Sequence, residues 1–220
     1  GLKSKEKLLL QTFFSSFFLI FLSKNNLISN NLIFLNDLTI NLESFIIPIS
    51  IVTIIALSNS VNLTDGLDGL AAGCSSIVFC GLGTEILLNN DKNYFMFSLL
   101  SFCMSGLCLG FLKHNKYPAK IFMGDTGSLT IGAIIGVICV VTNSFFTTFI
   151  ISGIFVVEAL SVILQVSYFK ITKKLLKKGK RLFLMTPIHH HFELKGVREE
   201  KIVEIFWLIN ITLLIFSIVM

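Results

Sequence analysis

Asn62-Leu63-Thr64-Asp65-Gly66-Leu67-Asp68-Gly69 puts two carboxylates, an amide, a hydroxyl and two glycines at the mouth of an apolar segment. Such groups are costly in lipid, so the cluster belongs at the water interface or in a protected cavity. If the stretch is helical, Asp65 and Asp68 fall on one face, about 60° apart around the axis, where they can share a cation or divide base and binding roles. Gly66 and Gly69 remove bulk beside them, which lets a phosphate or sugar approach the backbone. The plainer reading is a glycine-rich turn with an Asp cap on the next helix.

Further groups of the same kind follow. Asp125, in Phe122-Met123-Gly124-Asp125-Thr126-Gly127-Ser128, stands at a predicted helix start, either as an N-cap or as a ligand for Mg²⁺. That ion takes few carboxylates and completes its shell with waters and substrate phosphates. His189, His190 and His191 are consecutive, so their side chains diverge and cannot easily meet on one zinc; donors to a phosphate-bearing substrate fit better. Glu158 and Gln165 interrupt an apolar run on a shared helix face and must face protein or a cavity. The basic run from Lys173 to Arg181 reads as a juxtamembrane anchor on anionic lipid that can also attract an anionic substrate.

The elements that must position these groups are membrane spans. Hydrophobic residues make up 54% of the 220, charged residues 14%, and the mean hydropathy is +0.83. This is an integral membrane composition. The apolar runs are about Leu8–Leu22, Ser44–Leu57, Leu70–Leu88, Tyr94–Leu112, the stretch from Ser128 to Val141, Phe145–Phe169 and Ile202–Met220. Seven all-α spans follow, with a short amphipathic piece around Leu32–Leu42 and a polar turn at Asn89–Asn93. The five cysteines fall inside apolar runs and read as reduced core residues. The net charge of +5 has no aromatic interleaving, which argues against nucleic acid and for loops on an anionic membrane face.

Alternating these spans puts the N-terminal lysines, the Asn62 cluster, the Lys113–Lys120 loop and the Lys170–Lys201 segment on one side. That side holds sixteen of the eighteen Lys and Arg, all but Lys24 and Lys92, and the positive-inside rule makes it cytoplasmic. All the candidate motifs therefore face the cytoplasm as one composite site.

In order along the chain, Asn62–Ala71, Tyr117-Pro118-Ala119, Phe122–Asp125, Val157–Val166 and Pro187–Gly196 resemble the phospho-N-acetylmuramoyl-pentapeptide transferase (MraY) family, within the polyprenyl-phosphate N-acetylhexosamine-1-phosphate transferases. The triple-His run separates that family from its relatives. The resemblance implies a Mg²⁺-dependent transfer of phospho-MurNAc-pentapeptide from UDP-MurNAc-pentapeptide to undecaprenyl phosphate, giving lipid I and UMP, the first membrane step of peptidoglycan synthesis. It implies Asp125 as the Mg²⁺ ligand and Asp65 as a catalytic carboxylate. Asn62, Asp68, Asn115, Phe122 and Gln165 would contact the nucleoside or sugar phosphate, Phe122 by stacking on uracil. His189, His190 and His191 would contact substrate.

The same resemblance implies a multi-pass protein of the bacterial cytoplasmic membrane, with a homodimer left open. Residues 1–220 would be a single transferase domain, N-terminally incomplete: family members usually have ten spans and a further Asp-Asp pair before the segment resembling Gly1-Leu2-Lys3. The expectation is a chain inactive or nearly so on its own. Two alternatives remain: a transferase for another N-acetylhexosamine phosphate, and a non-catalytic fragment that needs a separate N-terminal half.

Overall fold

The computed structural model describes residues 3–29, 31–33, 39–89 and 92–220. Its helices are α1 (Ser4–Lys24), α2 (Ile46–Thr64), α3 (Leu70–Leu88), α4 (Phe95–Asn115), α5 (Gly124–Val141), α6 (Phe145–Ile151), α7 (Gly153–Leu176), α8 (Ile188–Leu194) and α9 (Glu199–Val219). Seven are long and apolar enough to cross a membrane, all but α6 and α8. The fold is an all-α polytopic bundle. In place of an amphipathic piece, β1 (Asn31–Ile33) pairs antiparallel with β2 (Thr39–Asn41), and residues 34–38 lie outside the described residues. Asn143 in the α5–α6 link donates to the carbonyl of Asn31 at 2.7 Å, which ties the hairpin to the bundle.

α3 is the innermost helix: 72% of its span is buried, against 17% to 50% in the other six. Its small residues let neighbours approach closely, and interhelical hydrogen bonds fix the contacts. Ser105 on α4 donates to the Ser76 carbonyl at 2.9 Å, Ser98 on α4 to the Gly83 carbonyl at 2.7 Å, and Asn210 on α9 to the Cys74 carbonyl at 3.2 Å. Large apolar side chains on the outer faces, such as Phe13, Phe17 and Leu107, are exposed to lipid. Cys80 and Cys103 share that exposure, so only Cys74, Cys108 and Cys139 are the core residues the apolar runs imply.

α2 and α5 pack through glycine. A Cβ on Gly132 would lie 2.3 Å from the Leu57 carbonyl oxygen and 2.6 Å from Ser58 Cα, both backbone atoms that cannot swing aside. Gly132→Val is therefore expected to force the helices apart, at about 1–3 kcal/mol or more. Gly110→Ala, with open space around it, supplies the control. Thermal unfolding in detergent checks this; equal melting temperatures for the two variants would contradict the packing.

Two further sequence expectations change. The sixth apolar run is not one helix: it is interrupted at Ser152, and the spanning element, α7, begins at Gly153. A Cβ on Gly153 would lie 2.6 Å from Leu213 Cδ1 of α9, so the interruption coincides with a close helix contact. α7 also continues past Phe169 to Leu176, where Lys177 takes a left-handed conformation and ends it. Second, residues 65–69 are a turn between α2 and α3, not helix, so Asp65 and Asp68 do not share a helix face. The glycine-rich turn of the plainer reading is present, but the N-cap of α3 is Gly69 and not an Asp.

Candidate functional site

The four segments expected on one side of the membrane meet at one end of the bundle. α1 contributes Lys7, whose ammonium donates to Asn62 Oδ1 at 3.1 Å and lies 3.3 Å from Asp125 Oδ2. Asn62, in the last turn of α2, donates through Nδ2 to Asp125 Oδ1 at 3.1 Å and to Ser128 Oγ at 2.9 Å. Asp125 is the second residue of α5, after Met123 as N-cap, so it is not itself the cap. Its carboxylate is 77% exposed and is held from both sides by an amide and a cation. That exposure leaves lone pairs free for a ligand.

Asp65 faces the same point. Gly124, in a left-handed conformation with φ +65°, opens α5 so that its N–H reaches the Asp65 carboxylate. Partial burial, and next the negative charge of Asp125, push the Asp65 carboxyl above its ordinary value, with the Gly124 N–H partly opposing. A carboxylate made harder to ionise by the charge of a second one beside it marks a place where positive charge is wanted.

Asp68 is turned the other way. Its Oδ2 accepts from the Ala119 N–H at 2.8 Å, and its own N–H donates to Glu199 at 2.6 Å. Asn115, at the end of α4, accepts from the Gly69 N–H at 3.1 Å and donates to the Ile121 carbonyl at 2.9 Å. Asp68 and Asn115 thus lock the 65–69 turn to the loop after α4. That loop presents Phe122, whose side chain is 78% exposed and free to stack on a planar ligand.

The three histidines diverge from α8. His189 is wholly buried, with Nδ1 3.0 Å from Glu158 Oε1, while the second oxygen of Glu158 accepts from the Ile188 N–H at 2.8 Å. Among the described residues its Nε2 has no hydrogen-bond partner, and it abuts Gly66, where a Cβ would lie 2.3 Å away. His190 pairs with Glu193, and His191 Nδ1 accepts from the Leu184 N–H at 3.1 Å. Gln165 is fully engaged with the segment before α8: it accepts from the Leu182 and Phe183 N–H groups and donates to the Phe183 carbonyl. Glu158 and Gln165 therefore share one task, holding the Leu182–His191 segment against α7.

Asn62, Asp65 and Asp125 come together directly, whereas Asp68, Asn115, Gln165 and His189 lie within hydrogen-bonded supports around them. Sequence reading missed Lys7, Glu158 as the partner of His189, and Glu199. Lys7 is half-buried where Lys3 and Lys5 are exposed, a distinction that a lysine-rich edge does not display.

Residues 1–143 match the family described as glycosyl transferase family 4. A protein of Prochlorococcus marinus subsp. pastoris called phospho-N-acetylmuramoyl-pentapeptide-transferase is 63% identical over 220 residues, all of this chain and 61% of its own length. One of that name from Prochlorococcus marinus strain MIT 9301 is 62% identical over all of this chain and 62% of its own length. Another, from Synechococcus sp. strain CC9605, is 41% identical over all of this chain and 63% of its own. The chain thus spans about three fifths of the length of these curated relatives.

Proposed function

The chain belongs to glycosyl transferase family 4, and from that premise we propose that it carries the catalytic end of a phosphoglycosyl transferase. The reaction moves phospho-MurNAc-pentapeptide from its UDP ester to undecaprenyl phosphate, releasing UMP and forming lipid I. The observation that carries this reading is the convergence of Lys7, Asn62, Asp65 and Asp125 at one end of a membrane bundle. The names of the relatives supply the transferred group, phospho-N-acetylmuramoyl-pentapeptide, and the motif resemblance supplies UDP as its carrier and undecaprenyl phosphate as its acceptor. The basic loops at this end support a site that faces the cytoplasm from the bacterial membrane.

The residues present fit a Mg²⁺ ion: the charge of Asp125 raises the cost of ionising Asp65, and the exposed Asp125 keeps lone pairs for a ligand. Among the described residues no third His, Cys, Asp or Glu joins them, which suits an ion that takes most of its shell from water and phosphate. Asp125, with Asp65 beside it, would hold the ion, which when bound neutralises charge on the donor pyrophosphate.

The rest is done by side chains of this chain. Asn62 and Lys7 orient Asp125, and the Lys7 ammonium offsets phosphate charge as the two anions meet. Asp65, ionised, takes the proton of the acceptor phosphate; that oxygen attacks the sugar-bearing phosphorus in line, and the bridging oxygen leaves on UMP. Phe122 stacks on the uracil, and His190 and His191 donate to substrate from the accessible side of α8. A phospho-aspartyl adduct trapped on Asp65 would rule out this direct route.

The test is UMP release and lipid product from UDP-MurNAc-pentapeptide and undecaprenyl phosphate, using the protein purified from its native membrane together with any chain it works beside there, since residues 1–220 alone are expected to turn over little. Absence of both products refutes the assignment. The same assay has a predicted pH limb. Asp65 must be ionised to act, so the rate falls as pH drops through its raised pKa, above the ordinary carboxylate range. Burial is the larger cause and Asp125 the second, so Asp125→Asn moves the limb of the residual rate only part of the way down. A limb at the ordinary carboxylate pKa would contradict the role of Asp65.

A further inference from the structure

Beside this site is a second cavity that the chemistry above does not use. It encloses about 410 Å³ between the Lys116–Tyr117 loop and the first turns of α9. Its walls include Asp68, Lys116, Tyr117, Arg198, Lys201 and Trp207, while Asp65, Asn115, Phe122 and Asp125 are not among them. The volume suits a small ligand or a short peptide segment.

Three features define what it would bind. Lys116, Arg198 and Lys201 are cations, and among the described residues none of their side chains is in an ion pair or a side-chain hydrogen bond. Arg198 is the N-cap of α9 and Lys201 lies in its first turn, beside Glu199 and Glu200, so both cations are held at one end of the cavity. Glu200 and Glu204 on the same wall offer acceptors for N–H groups, and Tyr117 and Trp207 offer flat apolar surface. A bare phosphate would use the cations alone. A peptide with a terminal carboxylate and several amide N–H groups uses all three features.

We infer that this cavity is the seat of the peptide portion of the donor, with Arg198 and Lys201 reading its carboxylate. This rests on the transferase reading and extends it. Asp68 links the two sites: it lines the cavity while its hydrogen bonds hold the 65–69 turn to the Ala119 loop and to Glu199 of α9. A peptide seated here lies next to the turn that bears Asp65.

Trp207 is the single tryptophan of the chain, so its fluorescence reports this cavity without any need for turnover. The protein in detergent is titrated with UDP-MurNAc-pentapeptide, with UDP-MurNAc lacking the peptide, with the free pentapeptide and with inorganic phosphate. The expected result is a saturable shift in Trp207 emission with the first and third only. The double variant Arg198→Ala with Lys201→Ala should weaken that response about tenfold or more, with unliganded emission unchanged as the folding control. An equal shift from UDP-MurNAc or from phosphate overturns the inference, as does a free pentapeptide that leaves Trp207 unaffected. A protein that shifts with the peptide but makes no lipid product in the transfer assay refutes the transferase reading and leaves a peptide site standing.

Discussion

Asp125→Asn is expected to lower the transfer rate by about 10²–10³-fold while leaving the melting temperature within a few degrees of the wild type. Asn preserves the shape of Asp and can still accept from Asn62 Nδ2, whose bond to Asp125 Oδ1 is 3.1 Å. Its amide nitrogen must then face Lys7, an ammonium 3.3 Å from the oxygen it replaces. Two donors now oppose each other. Lys7 is released from that side and keeps only Asn62 Oδ1 at 3.1 Å. The variant thus removes the negative charge that a cation needs and loosens the cation that offsets phosphate. Because Asp125 is largely exposed, the fold does not depend on it. Lys7→Gln separates the two effects: it should slow transfer less, about 10–10²-fold, since the carboxylate remains. UMP release at saturating donor, followed beside thermal unfolding, checks both. An Asp125→Asn enzyme with more than a tenth of the original rate would remove this residue from the chemistry.

Much of this arrangement was legible in the chain because lipid imposes simple rules. Runs such as Leu70–Leu88 must be helical to satisfy their backbone, and here α3 spans those same residues. The bias of Lys and Arg toward alternate loops put the Lys7, Asn62, Asn115 and His189 segments at one end, where hydrogen bonds join the first three and His189 packs against Gly66. What resisted reading was the local turn. Residues 65–69 alternate small and polar side chains that suit a helix start or a turn equally well, and tertiary bonds from Asn115, Ala119 and Glu199 settle the matter. Those partners are distant in sequence. The interruption at Ser152 was hidden for the same reason, since nothing in an apolar run marks where Leu213 of another helix will press on Gly153. Lys7 differs from Lys3 and Lys5 only in what it meets across the bundle.

The largest structural effect is expected at Glu158. This carboxylate and His189 are both fully buried, and its two oxygens meet His189 Nδ1 at 3.0 Å and the Ile188 N–H at 2.8 Å. Glu158→Leu strands those partners away from water, at about 3–5 kcal/mol for a broken buried pair, and should release α8 from α7. Glu158→Gln is milder. Its single amide oxygen can accept from Ile188, and its NH₂ can donate to Nδ1 if His189 moves its proton to Nε2. That tautomer places a donor against Gly66 and so changes what the Asp65 turn meets, with less loss of stability. Gly66→Ala attacks the contact from the other side: its Cβ would lie 2.3 Å from Nε2 of a ring that Glu158 prevents from retreating. A double-mutant cycle decides whether this contact is the link between α8 and the turn. His189→Ala makes room for the new methyl, so Gly66→Ala should cost little when added to it and much on its own, in melting temperature and in transfer rate alike. Additive losses would mean that the turn and α8 are held independently, and that Glu158 supports only its own helix pair.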